Sequence, residues 1–214
     1  YQHIVQKHCD VTVQEIADQF NIHPNVARLH LSKLEDINML TSETKKTGKG
    51  GRPSRLYRLS DNVIQLNFPF RDYQLLSKIA IETMMKLGNQ GKHALYDMGK
   101  SFGKELTENQ MNSNQINNLD ITFEEKLNLL KKAASVAGFY PEFQTNENQT
   151  KVFFQIFNCP FKELASVHPE TVCGMHISFL NGMFSALFTD VELIEQENMI
   201  NGCSSCSYQA LVTK

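Results

Sequence analysis

Apolar and polar positions along the chain change period several times, and each change marks an element. Within residues 11–20, Val13, Ile16, Ala17 and Phe20 recur at helical spacing, with Thr12 as N-cap and Glu15 completing a capping box. After the tight connection Asn21-Ile22-His23, Pro24 opens a second helix at the position where its missing N–H does no harm. Along residues 24–37, Ala27, Leu31 and Leu34 form the inward stripe, leaving Asn25, Arg28, Ser32 and Lys33 outside. Residues 40–44 and 55–59 alternate like two strands joined by the Gly-rich tip 45–53.

A long stripe follows at 72–87, through Leu75, Leu76, Ile79, Ala80, Met84 and Leu87, and ends at Gly88, a natural C-cap. Leu95, Met98, Phe102 and Leu106 predict another helix, and the Asn- and Gln-rich tract 107–118 reads as its frayed end and a loop. Thr122 and Glu125 start a third helix through Leu127, Leu130, Ala134 and Ala137, closed by Gly138. Beyond Gly138 the period shortens to two: 139–144 and 151–157 predict a hairpin around the polar turn 145–149. Pro160 reads as the first position of a helix, which would place Cys159 at a helix N-terminus where the dipole stabilises a thiolate. Residues 169–188 predict a helix with Cys173, His176, Ile177, Leu180 and Phe184 on one face. A strand at 191–200 then turns at Asn201-Gly202 into Cys203-Ser-Ser-Cys206 and a last strand through Tyr208, Ala210 and Val212.

The fold class expected from this order is α+β. It comprises an N-terminal winged helix-turn-helix over 1–60, a helical linker or dimerisation region over 61–138, and a cysteine-containing α+β sensor domain over 139–214. Such modules commonly read two-fold sites as dimers, which makes the 72–87 helix a candidate homodimer contact.

Charge sharpens the N-terminal reading. The 21 basic and 23 acidic residues nearly cancel, but residues 1–60 hold nine of the former against six of the latter. Lys45, Lys46, Lys49, Arg52, Arg55 and Arg58 follow one another with no acid between them. On a Gly-rich tip beside a helix-turn-helix they suit a DNA backbone, where each phosphate contact releases counterions. Arg28 is the candidate for bidentate guanine contact, with Asn25, Ser32 and Lys33 beside it and Lys45, Lys46, Lys49, Arg52 and Arg55 supplying affinity. His23 and His30 read as packed at a helix seam, and Cys9 as a small buried hydrophobe.

The 214 residues, 41% hydrophobic and 21% charged, predict a soluble globular protein. No apolar run approaches the roughly 20 residues a spanning helix needs. Nothing reads as a signal peptide, so a cytoplasmic protein without membrane contact is expected, and the missing initial Met suggests a trimmed start. Five cysteines are too few for a disulfide scaffold, and four crowd into the last 56 residues. Cys159, Cys173, Cys203 and Cys206 are separated by 13, 29 and two residues, and the CxxC beside a glycine turn could bring two thiolates onto one ion. Four soft ligands suit an iron–sulfur cluster or zinc. A thiol-redox enzyme using Cys203 and Cys206 fits less well, because no βαβ context surrounds them. With neither paired acid/base groups nor a nucleotide-binding glycine loop, no catalytic residue is expected and the chain does not read as an enzyme.

Nearly the whole chain resembles the SufR-type regulators, ArsR/DeoR-like winged-helix proteins. The resemblance rests on the run Val26-Ala-Arg-Leu-His-Leu-Ser-Lys-Leu34, on Gly50-Gly-Arg-Pro53 followed by Tyr57-Arg-Leu, on Asn158-Cys-Pro-Phe161, on His168-Pro-Glu-Thr-Val-Cys173, and on Gly202-Cys203. It implies a transcriptional repressor of cluster-assembly genes that binds a double-stranded operator under the control of a 4Fe-4S cluster sensing iron–sulfur status, oxygen or nitric oxide. It also implies Cys159, Cys173, Cys203 and Cys206 as ligands. Two departures stand out: Asn38 replaces the family's usual Gly after the recognition helix, and the cysteine spacing differs among relatives. His176, one turn from Cys173, is the alternative fourth ligand. The competing reading keeps the winged helix but gives it a structural zinc site and a small-molecule effector.

Overall fold

The computed structural model describes residues 1–45, 53–64, 69–113 and 121–213. Lys46, Lys49 and Arg52, three of the expected DNA-contacting cations, lie outside the described residues. The chain divides into two compact units, Tyr1–Arg71 and Asp72–Lys214.

The first unit contains helices α1 (Gln2–Lys7), α2 (Val13–Phe20) and α3 (Pro24–Asp36), with strands β1 (Val11–Thr12), β2 (Leu40–Lys45) and β3 (Ser54–Leu59). The strands form an antiparallel sheet in the order β1-β3-β2, in which Tyr57 pairs with Val11 on one side and with Ser42 on the other. The capping box forms: Thr12 accepts from the Glu15 N–H, and the Glu15 carboxylate takes the Thr12 N–H at 2.7 Å. Val11 and Thr12 themselves belong to the sheet, and α2 starts at Val13, directly after the expected N-cap Thr12. Ile4, Val11, Ile16, Ala17, Ala27, Leu31, Leu40 and Tyr57 make the core, with Leu34 partly buried against it. Asn38 adopts φ 59°, a left-handed conformation that Asn tolerates better than most side chains.

Three residues of this unit depart from expectation. Cys9 is exposed in the link between α1 and β1 instead of buried. His23 is exposed and caps α3, its Nδ1 accepting the Asn25 N–H at 3.2 Å. His30 also faces outward, because the Ala27/Leu31 stripe takes the whole inward face of α3.

The second unit runs α4 (Tyr73–Lys86), α5 (Asn89–Ser113), α6 (Phe123–Val136), β4 (Glu142–Thr145), β5 (Lys151–Ile156), α7 (Lys162–Val167), α8 (Pro169–Ser185), β6 (Val191–Glu197), a 3₁₀ turn Met199–Asn201, and β7 (Cys206–Val212). Its four strands are antiparallel in the order β4-β5-β7-β6. Period-two alternation turns Val152, Phe154 and Ile156 inward beside Cys206, Tyr208, Ala210 and Val212. Leu129, Leu130, Ala133 and Ala134 of α6, with Leu180, Met183 and Phe184 of α8, cover that face. The fold class is therefore α+β, with helices gathered on one face of an antiparallel sheet.

Helix α5 continues through the tract expected to fray, as far as Ser113, because Thr107 is fully buried against the unit. It lies along α8 in the same direction. Gly99 and Gly103 of α5 and Gly182 of α8 leave the two backbones in direct contact: a Cβ on Gly99 would lie 2.8 Å from the Met175 carbonyl oxygen. The expected boundary at 138 thus falls inside one unit, since the helices before it pack on the cysteine-bearing segment. Helix α4 buries none of its residues, and Leu75, Leu76 and Ile79 are 53%, 61% and 54% exposed. Among the described residues no helix is long and apolar enough to cross a membrane.

Candidate functional site

The sheet register assembles one end of the second unit. Ile156, the last residue of β5, pairs with Cys206, the first of β7, so the chain leaving β5 passes Cys206 on its way to Cys159. Asn158 holds this turn by donating its side-chain N–H to the Gly138 carbonyl at 2.7 Å. The chain then enters α7 and, after His168, α8, whose first turns present Cys173 and His176.

Three thiols from three segments thereby come within electrostatic reach of one another. Burial pushes the Cys159 thiol up to about 11; a hydrogen bond from the Phe161 N–H pulls the other way, and Cys206, Cys173 and Glu163 add to the rise. Cys206 is raised by burial too, against the Met199 N–H, whose nitrogen lies 3.4 Å from its sulfur, and against a hydrogen bond from the Tyr208 hydroxyl; Glu195 and Cys173 add to the rise. The expected thiolate at Cys159 is overturned: Pro160 sits in a turn ahead of α7, and desolvation outweighs the backbone N–H.

Cys203 follows Gly202 (φ 92°) on an exposed loop, while Cys206 is turned into the core by the strand alternation of β7. His176 is 3% exposed, stacked on Phe139 at 4.9 Å between centroids and flanked by Phe161 and Tyr208. Its Nε2 is buried with no hydrogen-bond partner, and desolvation lowers its pKa to about 4, keeping the ring neutral. Sequence reasoning missed the Met199 N–H and the Tyr208 hydroxyl as supports for Cys206. The signal for Tyr208 was present, since positions 206 and 208 of a strand share a face.

Among the described residues no three His, Cys, Asp or Glu side chains are gathered tightly enough to hold a metal ion. A tetrahedral zinc with Zn–S bonds of about 2.3 Å requires sulfurs about 3.8 Å apart. A four-iron cluster gives each iron its own thiolate and spreads them more widely. Three thiols lie in electrostatic reach of one another and one imidazole nitrogen is buried without a partner, and the described residues do not gather them into a metal-holding group.

The first unit carries the other candidate surface. Asn25, Arg28 and Lys33 are exposed on α3 and Ser32 is half-buried; Arg28 Nη1 donates to Asn25 Oδ1 at 3.2 Å. Lys45 is exposed at the end of β2. Arg55 is engaged within the fold: its Nη2 lies 2.9 Å from both Glu35 carboxylate oxygens, its Nε donates to Ser42 Oγ at 2.6 Å, and its guanidinium lies over the Tyr57 ring. A cavity of about 370 Å³ between the N-termini of α2 and α3 and the hairpin is lined by Thr12, Gln14, Pro24, Arg28, Arg55 and Tyr57 among others.

No family model matches the chain, and no curated protein matches it significantly. Among solved structures, the phenol-responsive sensory domain of the transcription activator PoxR with phenol is similar at 16% identity and a TM-score of 0.49, over 86% of this chain and 89% of that one. A trafficking protein particle complex subunit 3 from Naegleria fowleri, covalently bound to palmitic acid, is similar at 13% identity and a TM-score of 0.47, over 66% of this chain and 97% of that one. At these identities and scores neither likeness bears on what this chain does.

Proposed function

We propose that the protein is a DNA-binding transcriptional regulator of the SufR type, whose affinity for its operator depends on an iron–sulfur cluster held by Cys159, Cys173 and Cys206. What supports this reading is that those three thiols, from the β5–α7 turn, α8 and β7, lie within electrostatic reach of one another in the second unit. Bound there, a cluster would supply an iron centre that oxygen, nitric oxide or iron shortage alters. Cys159 would hold it from the turn that Asn158 anchors, Cys173 from α8, and Cys206 from the strand edge where the Met199 N–H and the Tyr208 hydroxyl support the sulfur.

The first unit is the winged helix-turn-helix in this reading. Helix α3 offers Asn25, Arg28 and Lys33 to base edges in the major groove, and the β2–β3 hairpin lies along the backbone with Lys45. The cavity beside Arg28 and Arg55 suits a phosphate. The exposed stripe of α4 faces a second copy, giving the homodimer that a two-fold operator requires. Control requires only that loaded and cluster-free forms differ in DNA affinity. By resemblance, the loaded form is the repressor.

Purification without oxygen tests this. Brown protein containing iron and acid-labile sulfide, which selects a common sequence from random duplexes and loses that affinity on exposure to air, is the expected result. Colourless protein with stoichiometric zinc, or DNA affinity indifferent to the metal, would refute it.

A further inference from the structure

We infer that the cavity between α2, α3 and the β2–β3 hairpin is a phosphate-binding site, built on the buried Tyr57 hydroxyl, the Gln14 backbone N–H and the Ser54 hydroxyl. It takes up the phosphate contact of the DNA reading above and rests on that reading for one source of the phosphate, a DNA backbone. A free phosphate is the second source of the same chemistry, and nothing in the site depends on the cluster.

The cavity, about 370 Å³, falls within the range of ligand clefts, and its lining suits an oxyanion in three ways. Tyr57 lines it and is fully buried, yet the Tyr57 hydroxyl has no hydrogen-bond partner among the described residues. Native proteins rarely leave a buried hydroxyl unpaired, and one so left points to a ligand or water that completes it. The start of α2 supplies a second donor. Its capping box spends the Glu15 N–H on the Thr12 hydroxyl, whereas the Gln14 N–H, one position earlier, has no acceptor within the helix. At that end of a helix the dipole favours an anion. Ser54, the first residue of β3, brings a third donor to the lining.

Charge argues the same way. The lining contains Arg28 and Arg55 and no acid. The two carboxylates bonded to lining residues are already matched, Glu15 by Lys7 at 3.0 Å and Glu35 by Arg55 at 2.9 Å. Arg28 donates to the neutral Asn25 amide, a bond that leaves its charge uncompensated.

The test titrates the full chain, in chloride at constant ionic strength, with sodium phosphate and separately with a random-sequence DNA duplex. The Gln14 backbone amide is followed by NMR and unfolding by thermal melts. The probe that binds is expected to move the Gln14 amide and to raise the melting temperature of the wild type. Tyr57→Phe keeps the ring and removes only the unpaired hydroxyl. It should therefore melt no lower than the wild type without phosphate, yet bind the probe about tenfold more weakly, as loss of a hydrogen bond to a charged group does. Ser54→Ala should weaken binding similarly and decides the matter where Tyr57→Phe fails to fold. A response to the duplex alone assigns the phosphate to a DNA backbone; a response to sodium phosphate alone upholds the site and refutes the DNA reading. Duplex binding that leaves the Gln14 amide unmoved, or that both variants leave unchanged, overturns the inference and spares the DNA reading. No response to either probe overturns both.

Discussion

His168 Nε2 lies 3.0 Å from Glu82 Oε1, joining the last turns of α4 to the residue that opens α8. One turn further along α4, Met85 Sδ accepts the Thr171 hydroxyl at 3.1 Å. The helix with the exposed apolar stripe is thereby fastened to the segment just ahead of Cys173. Glu82→Gln should raise amide exchange across α4 while β7 stays protected. The pair is partly exposed, so the stability cost should stay near the 0.2–1 kcal/mol of such contacts. Unchanged exchange in α4 would show the contact to be incidental.

The α5–α8 contact predicts a contrast among glycines. A Cβ on Gly103 would collide with the Phe179 carbonyl and one on Gly182 with the Lys100 carbonyl, where backbone faces backbone and neither can rotate away. Alanine at either position should cost about 3 kcal/mol, the upper part of the usual overpacking range, in urea denaturation of the second unit. Gly88, at φ 62° with open space around it, should cost only about 1–2 kcal/mol, from strain alone.

Alkylation should separate the cysteines of the metal-free protein. Cys9 and Cys203 are exposed, whereas Cys159, with its thiol near 11, is ionised to only about one part in a thousand at pH 8. Mass spectrometry of a timed iodoacetamide reaction should show Cys9 and Cys203 modified first, with Cys206 protected by burial. Early modification of Cys159 would contradict its placement.

The cations of the first unit should divide by salt dependence. Lys45→Ala should lower the slope of log K against log salt by about one, as loss of a phosphate contact does. Arg55→Ala should mainly lower the melting temperature, because that guanidinium already serves Glu35 and Ser42. Arg28→Ala should relax sequence preference by about 1–3 kcal/mol at one base pair. A salt slope lowered more by Arg55→Ala than by Lys45→Ala would reverse these assignments.

The two capping boxes tie stability to acid. Backbone N–H groups of Thr12 and Thr122 hold the Glu15 and Glu125 carboxyls below their ordinary value. The folded state therefore prefers the ionised form: its contribution is whole above the unfolded carboxyl pKa of about 4.3 and fades as pH falls through the lower folded value. Glu15→Gln or Glu125→Gln should flatten the fall in melting temperature between pH 5 and 3, whereas Thr12→Ala or Thr122→Ala, which keep the backbone N–H, should mainly cost about 1 kcal/mol at pH 7. An unchanged acid limb in thermal melts would show that the carboxylates gain nothing from the caps.

Local rules made much of this protein readable in advance. The Thr12 and Thr122 caps, Pro24 at the start of α3, the Ala27/Leu31 stripe and the left-handed Asn38 all depend on neighbours within about a turn, and periodicity carries that information. So did the alternation that turns Tyr208 and Ala210 inward. The continuation of α5 past Thr107 was hidden, because its polar composition argues for a loop and only burial against a distant helix overrides it.

The thiol site shows the same division. Its sequence announced four cysteines and a nearby histidine, but spacing treats Cys203 and Cys206 as natural partners. Strand pairing separates their environments, because register with Ile156 turns Cys206 into the core and leaves Cys203 in solvent. The amino-acid order alone determined the short-range elements and the chemistry on offer. Tertiary packing alone decided which donors meet and how burial sets their charge, since desolvation and electrostatic reach depend on neighbours that the order of residues does not name.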